Sequence, residues 1–277
     1  MAHLREMIII SSPRNGTNFY CECVRQIEGA LGLFEIFNPS AVFGVREPPL
    51  LAHFAEALGH DIDGARDKRL VAFFKQDPLQ AVNLLRSYAD AQGASLISYK
   101  VFPRQLPPEQ LSALMARENV SVSFLTRRRL DVYVSYCKAQ THKSWANQDT
   151  TDLRVRVDAD AFLEWSKAND AWFADRLADV TALGLPYRIW DYEQDVNVGK
   201  AALMQELALH LADLGTGAKL PDQIRKPGFI RQDKAARPFD RVENGAELRA
   251  ALHAAKQLRY ALGTPLIGDD AQPGVAA

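Results

Sequence analysis

Met7-Ile-Ile-Ile-Ser-Ser-Pro-Arg-Asn-Gly-Thr-Asn-Phe-Tyr20 is the stretch that decides the fold. Met7 to Ile10 is an apolar, β-branched run of the kind buried on both faces of a sheet. Ser11 to Gly16 is a polar turn holding a Pro and a Gly. From Thr17 onward Phe19, Cys23, Ile27 and Ala30 recur at helical spacing. A strand that turns sharply into a helix leaves the first helical N–H groups unpaired, and with the helix dipole they suit a phosphate or similar anion. Arg14, Thr17 and Asn18 add side-chain donors. The same pattern also serves as a plain β–α connection, and the Gly-Lys-Ser/Thr ending of a Walker A loop is absent.

A length of 277 residues suffices for a sizeable core. With 47% hydrophobic residues, 24% charged residues and a net charge of −1, the composition offers no global attraction to nucleic acid or membrane. Cys21, Cys23 and Cys137 form no disulfide framework, and Cys21-x-Cys23 lacks metal-ligand spacing. No apolar run reaches spanning length, and Met1 to Glu6 is too short and polar for a secretory signal, so the chain reads as cytoplasmic without membrane insertion. No linker composition or internal repeat divides it, which gives a single domain over 1–277.

Downstream, the first helix is expected to end near Gly29 to Gly32, with Leu33 to Phe37 extended. Glu35 there lies among apolar residues, as a solvated edge group or a carboxylate kept for chemistry. Asn38 to Pro49 reads as loop, broken by Pro39 and Pro48-Pro49. Leu50 to Leu58, Leu70 to Phe74 and Leu79 to Ala91 read as helices of a cap or layer spanning 36–95, the last capped by Asp77 with Pro78 at its first position. Their apolar faces could form a lid or a homodimer interface. Ser95 to Phe102 is the next strand and places Lys100 near its carboxyl end, where ligands of open α/β sheets sit. Pro107-Pro108 opens a helix through Met115. Val120 to Leu125 is a third strand, running into Thr126-Arg-Arg-Arg-Leu-Asp-Val-Tyr-Val-Ser-Tyr136. Read alone, that basic triplet is either a solvated turn or a cluster of anion ligands. Asp158 caps a helix through Leu183. Leu185 to Asp191 is a late strand followed by Tyr192-Glu193, and Lys200 to Leu214 is helical. Residues 224–248 read as a basic Pro/Gly loop, and 268–277 as a flexible tail.

Five stretches carry a family resemblance. Pro13-Arg14-Asn15-Gly16-Thr17-Asn18-Phe19 resembles the 5′-phosphosulfate loop of sulfotransferases, Pro-(Arg/Lys)-Ser-Gly-(Ser/Thr)-(Ser/Thr)-aromatic, with Asn15 and Asn18 as departures. Arg127, Asp131 and Ser135 reproduce the spacing of the family's 3′-phosphate segment, with Arg128-Arg129 where Asn-Pro or Arg-Pro is usual. Cys137 to Trp145 is similar to the following segment of bacterial carbohydrate sulfotransferases of the nodulation-factor and trehalose types. Tyr192-Glu193 resembles a further family element, with Gln194-Asp195 in place of Asp-Leu, and Val242 to Leu248 resembles the family's terminal Asn-(x)₂-Glu-Leu stretch.

The resemblance implies a P-loop-like α/β fold, a mainly parallel sheet flanked by helices, and sulfuryl transfer from 3′-phosphoadenosine 5′-phosphosulfate (PAPS) to an acceptor hydroxyl of a carbohydrate or glycolipid, with no metal. Pro13 to Asn18 would hold the phosphosulfate, and Arg127 with Ser135 the 3′-phosphate. Arg225, Lys226 or Arg231 would close over the cofactor. Glu35, in the context Gly32, Glu35, Phe37, stands where trehalose-type enzymes carry a general base. Arg14 or Lys100 would assist the leaving group, and Gln140, His142 and Trp145 would line the acceptor pocket. The alternatives are a P-loop-like kinase and a non-catalytic nucleotide or anion module.

Overall fold

The computed structural model describes residues 4–142, 149–226, 228–229 and 237–267. In chain order these form β1 (Arg5–Ser11), α1 (Thr17–Gln26), β2 (Ala30–Gly32), α2 (Pro48–Leu58), α3 (Lys68–Gln76), α4 (Pro78–Ala91), β3 (Leu96–Val101), α5 (Pro108–Met115), β4 (Val120–Thr126), α6 (Arg129–His142), α7 (Ala159–Ala182), β5 (Tyr187–Asp191), α8 (Lys200–Asp213), α9 (Gly245–Ala254) and α10 (Leu258–Leu262). A π-turn at Tyr192–Val196 follows β5, and a 3-10 turn at Pro238–Arg241 precedes α9.

The five strands form one parallel sheet in the order β2-β3-β1-β4-β5, the α/β fold expected from the sequence. β1 lies at its centre, and every residue from Glu6 to Ser11 is buried, as an all-parallel sheet covered on both faces requires. Alternate residues face opposite layers. Ile8 and Ile10 join Tyr99, Phe124 and the buried faces of α2, α3, α4, α5 and α7, whereas Met7 and Ile9 join Leu125, Trp190, α1 and α8. Leu130, Val134 and Phe162 gather α6 and α7 with Leu248 and Leu252 of α9 into a third cluster. Among the described residues no helix is long and apolar enough to cross a membrane.

Four expectations need correction. The second strand is Ala30–Gly32, and the chain from Leu33 is irregular, turning at Ile36–Phe37. α1 stops at Gln26, because Ile27 leaves the helix for an extended conformation. Glycine suits β2 for a packing reason: a Cβ at Gly32 would lie 2.6 Å from the Arg25 Cα, so only a bare backbone passes this close beneath α1. Pro48-Pro49 opens α2 rather than breaking the chain, since a prolyl nitrogen at the first helical positions forfeits no hydrogen bond. The basic loop ends earlier than expected, with α9 starting at Gly245, and α10 follows it. Asp77 caps α4 as expected, accepting from the Gln80 N–H at 3.0 Å.

His210 of α8 is buried edge-on to Trp190, with ring centroids 5.7 Å apart. Burial first, then the Arg188 charge, lowers its pKa from 6.5 to about 4. The unfolded chain therefore takes up this proton at a higher pH than the folded one. Stability should fall as pH drops from about 6.5 to about 4, by up to about 3 kcal/mol at about 1.4 kcal/mol per tenfold difference in proton affinity. Urea unfolding across that interval should show the loss, and His210→Leu should remove this part of the slope.

Candidate functional site

The site gathers at the carboxyl ends of β3, β1 and β4, around the turn into α1. Two residues of that turn are left-handed, Arg14 at φ 78° and Gly16 at φ 82°. Gly16 is the N-cap and supplies no side-chain cap. The first helical bond runs from the Tyr20 N–H to the Gly16 carbonyl at 3.2 Å, leaving the N–H groups of Thr17, Asn18 and Phe19 without intrahelical acceptors.

The Asn15 side chain braces the turn. It is buried, and its Nδ2 donates to Ser11 Oγ at 3.1 Å, Ser12 Oγ at 3.0 Å and the Leu125 carbonyl at 3.2 Å. Ser11 Oγ donates to the same carbonyl at 2.6 Å, fastening the turn to the end of β4.

Arg14 and Arg127 converge although 113 residues separate them. Arg14 Nε donates to Ser135 Oγ at 2.9 Å, and an Arg127 terminal nitrogen donates to the Arg14 carbonyl at 3.2 Å. Burial, then repulsion from Arg127, lowers the Arg14 pKa to about 10, so its guanidinium remains charged at neutral pH. Arg127 lies over the Tyr192 ring, 4.3 Å from its centroid, and its Nε donates to Glu193 at 3.3 Å. Burial raises the pKa of Glu193, and Arg127 pulls it back. Tyr192 also rests on Gly16, where an added Cβ would collide with the ring. The π-turn after β5 thus supports both the first turn of α1 and the arginine beside it.

Asp131 takes a different part. Its buried carboxylate accepts from Arg128 at 3.1 Å and from buried Arg241 of the 3-10 turn at 2.8 Å. It ties α6 to the chain's last third. Arg241 carried no sequence signal, because its contact depends on a turn 110 residues away.

Lys100 is almost fully buried, at 1% exposure. Its Nζ donates to Thr17 Oγ1 at 3.1 Å and Asn18 Oδ1 at 2.5 Å, and meets Glu35 Oε1 at 3.2 Å. Two hydrogen bonds and one ion pair thus hold the ammonium, which also lies 4.9 Å from the Phe102 ring centroid. Lys100 thereby links the first turn of α1 to Glu35. The other Glu35 oxygen accepts from Asn38 Nδ2 at 2.9 Å and Gln105 Nε2 at 3.1 Å. Neither amide was singled out in the sequence, and Gln105 lies 70 residues from its partner.

The remaining candidates lie apart from this cluster or outside the described residues. The Arg225 N–H donates to Gln26 Oε1 at 2.9 Å, and its carbonyl accepts from Lys200 Nζ at 2.6 Å, at the end of α1 remote from Thr17. Lys226 is exposed beside it. Farther along, Glu22 accepts from the Gly228 and Phe229 N–H groups at 2.6 and 3.2 Å, and the Phe229 ring meets Phe34 at 6.0 Å. This segment is held to α1 by its backbone and runs toward the site. Gln140 is exposed on α6 and donates to Tyr136 Oη at 2.5 Å. It borders a recess lined by Cys137, Thr141, Arg154 and Arg156. The His142 side chain, Trp145 and Arg231 lie outside the described residues. Among the described residues no group of three His, Cys, Asp or Glu side chains could hold a metal ion.

The donor set of Arg14, Arg127, Ser135 and the α1 N-terminus suits a ligand bearing more than one anionic group. The Lys100–Glu35 pair adds a carboxylate capable of accepting a proton beside it. A scan against protein-family models finds no match for this chain, and a search of curated proteins finds none either.

Proposed function

We propose that the chain is a sulfotransferase that moves the sulfuryl group of PAPS to an acceptor hydroxyl, of a carbohydrate or glycolipid by the resemblance of its motifs. The observation that carries this reading is one junction: Lys100 joins the start of α1 to Glu35, while Arg14, Arg127 and Ser135 meet on the other side of the same turn. The donor supplies an activated sulfuryl group on a phosphate leaving group.

The chain's contribution is positioning and charge. Arg14 and the N–H groups of Thr17, Asn18 and Phe19 would hold the phosphosulfate and offset the charge that develops on the leaving oxygen. Arg127 and Ser135 would hold the 3′-phosphate, with the Tyr192 ring supporting the guanidinium. Arg14 stays protonated at neutral pH, so its help to the leaving group is electrostatic rather than proton donation. Glu35 would take the acceptor's proton. No observation favours the kinase reading, and a plain anion-binding module would have no use for a carboxylate paired with a buried lysine beside the anion site.

Calorimetric titration with the expected product, 3′-phosphoadenosine 5′-phosphate (PAP), tests the proposal. Wild type should bind, and Arg127→Ala should bind at least about tenfold more weakly, the loss of about 1.4 kcal/mol that one charge-assisted phosphate contact supplies. Absence of binding to wild type would overturn the reading. Magnesium-dependent ATP turnover would replace it with the kinase.

A further inference from the structure

The geometry points to Asn38 and Gln105 as positioning residues that make Oε1 of Glu35 the atom that accepts the proton, an inference that rests on the sulfuryl-transfer reading above. Glu35 Oε2 receives both amides, Asn38 Nδ2 at 2.9 Å and Gln105 Nε2 at 3.1 Å. A carboxylate oxygen has about two lone-pair sites, so two donors fill it. Neither amide is free to turn over. Asn38 Oδ1 accepts from the Ser40 N–H at 3.0 Å and the Ser40 hydroxyl at 2.8 Å. Gln105 Oε1 accepts from the Phe102 N–H at 2.8 Å. A flip of either side chain would set an amide donor against these donors and leave Oε2 facing an oxygen.

Oε1 is different. It receives neither amide and forms an ion pair with the Lys100 ammonium at 3.2 Å, which occupies at most one of its two lone-pair sites, and the Glu35 side chain is 19% exposed. The carboxylate is therefore accessible as well as fixed. Its vacant site lies next to the group that touches Thr17 and Asn18. One strand end sets the whole arrangement. Lys100 belongs to β3, and Phe102, just past that strand, orients Gln105.

In the proposed step the acceptor O–H bond breaks and its proton passes to Glu35 Oε1. The oxygen's electron pair forms the new S–O bond. The bond between sulfur and the phosphate oxygen breaks, and its pair leaves on the phosphate. The proton on Oε1 then passes to solvent. Asn38 and Gln105 touch neither reacting partner; they fix the plane of the carboxylate that does.

The test uses the full chain, with PAPS as donor and water as the acceptor, read as sulfate release. Gln105→Met should lower kcat about tenfold and Asn38→Ala/Gln105→Met about a hundredfold, the range that misplacement of a catalytic group costs, with PAP affinity unchanged within about twofold. Gln105→Glu is the stricter variant. It keeps an acceptor for the Phe102 N–H but sets two carboxylates face to face. Its rate should be lost near about pH 8 and recover toward about pH 6, where the pair shares one proton and the bridge to Oε2 returns. A residue that merely filled space would not produce that pH dependence. Unchanged kcat in the double variant, or a Gln105→Glu profile parallel to wild type, would overturn the inference.

Nuclear magnetic resonance of the ¹⁵N-labelled side-chain amides gives a readout free of turnover. Glu35→Gln should shift the Asn38 and Gln105 amide signals, and signals that stay in place would overturn the proposal. Shifted signals in a wild type that binds no PAP would instead sink the sulfotransferase reading and leave the pinned carboxylate standing.

Discussion

Glu35→Gln should lower sulfuryl transfer by about 10²- to 10⁴-fold, the usual contribution of a positioned general base, while PAP still binds. The substitution keeps the volume and removes the ability to accept a proton from a hydroxyl. It also leaves a mismatch. If the new amide oxygen faces Lys100, the new amide nitrogen faces the Asn38 and Gln105 donors; the opposite rotamer sets that nitrogen against the ammonium. Either arrangement leaves hydrogen-bonding groups unpaired, and a stability loss of about 1–3 kcal/mol should accompany the kinetic effect. Calorimetric PAP binding separates the two, because the donors of Arg14, Arg127 and Ser135 do not pass through Glu35. A variant that turns over at a near-normal rate removes Glu35 as the base.

Gly16→Ala should be the most damaging single-carbon change in the site. At φ 82° an L-residue carries about 1–2 kcal/mol of backbone strain. The added methyl also runs into the Tyr192 ring, which Arg127 covers on one face. Overpacking of this kind costs about 1–3 kcal/mol, so the total loss should be about 2–5 kcal/mol by urea unfolding. PAP affinity should fall with it, since a displaced Tyr192 no longer supports the Arg127 guanidinium. A double-mutant cycle with Tyr192→Ala apportions the effect. Removing the ring should return the packing part and leave the backbone part. Equal losses in the two backgrounds would show that Tyr192 is not what Gly16 accommodates.

What the sequence disclosed follows how far each signal reaches along the chain. The central strand and its turn were legible because Met7 to Ser12 carries its own pattern, an apolar run followed by turn residues. Lys100 was legible as a position at a strand end but not as a buried ion. Its acceptors come from Thr17, Asn18 and Glu35, and nothing near residue 100 reports them. β2 was missed because three residues that follow Gly29 and end on Gly32 look like a turn. The strand is defined by backbone pairing with Leu96 to Ser98, which side-chain periodicity does not encode. Arg225 and Lys226 show a different limit. A basic Pro/Gly stretch reads as a set of ligands, yet what Gln26, Glu22 and Lys200 hold is its main chain. Asn38 and Gln105 lay beyond any local pattern, since an amide acquires its role from the carboxylate it meets.

The sheet order also governs when the site comes into being. Neighbouring strands pair over long stretches of chain, Ala30 with Leu96, Arg5 with Leu96 and Val122 with Tyr187, so each ladder closes a loop of at least about sixty residues. Such a topology folds slowly, because loop entropy is lost before the pairing returns anything. During synthesis β1 and α1 emerge first, but Ser135, Tyr192 and Arg241 follow more than a hundred residues later. Until β3 and β4 follow, the nascent chain would expose the Met7 to Ile10 strand with neither flank covered, so chaperone dependence should concentrate in that interval.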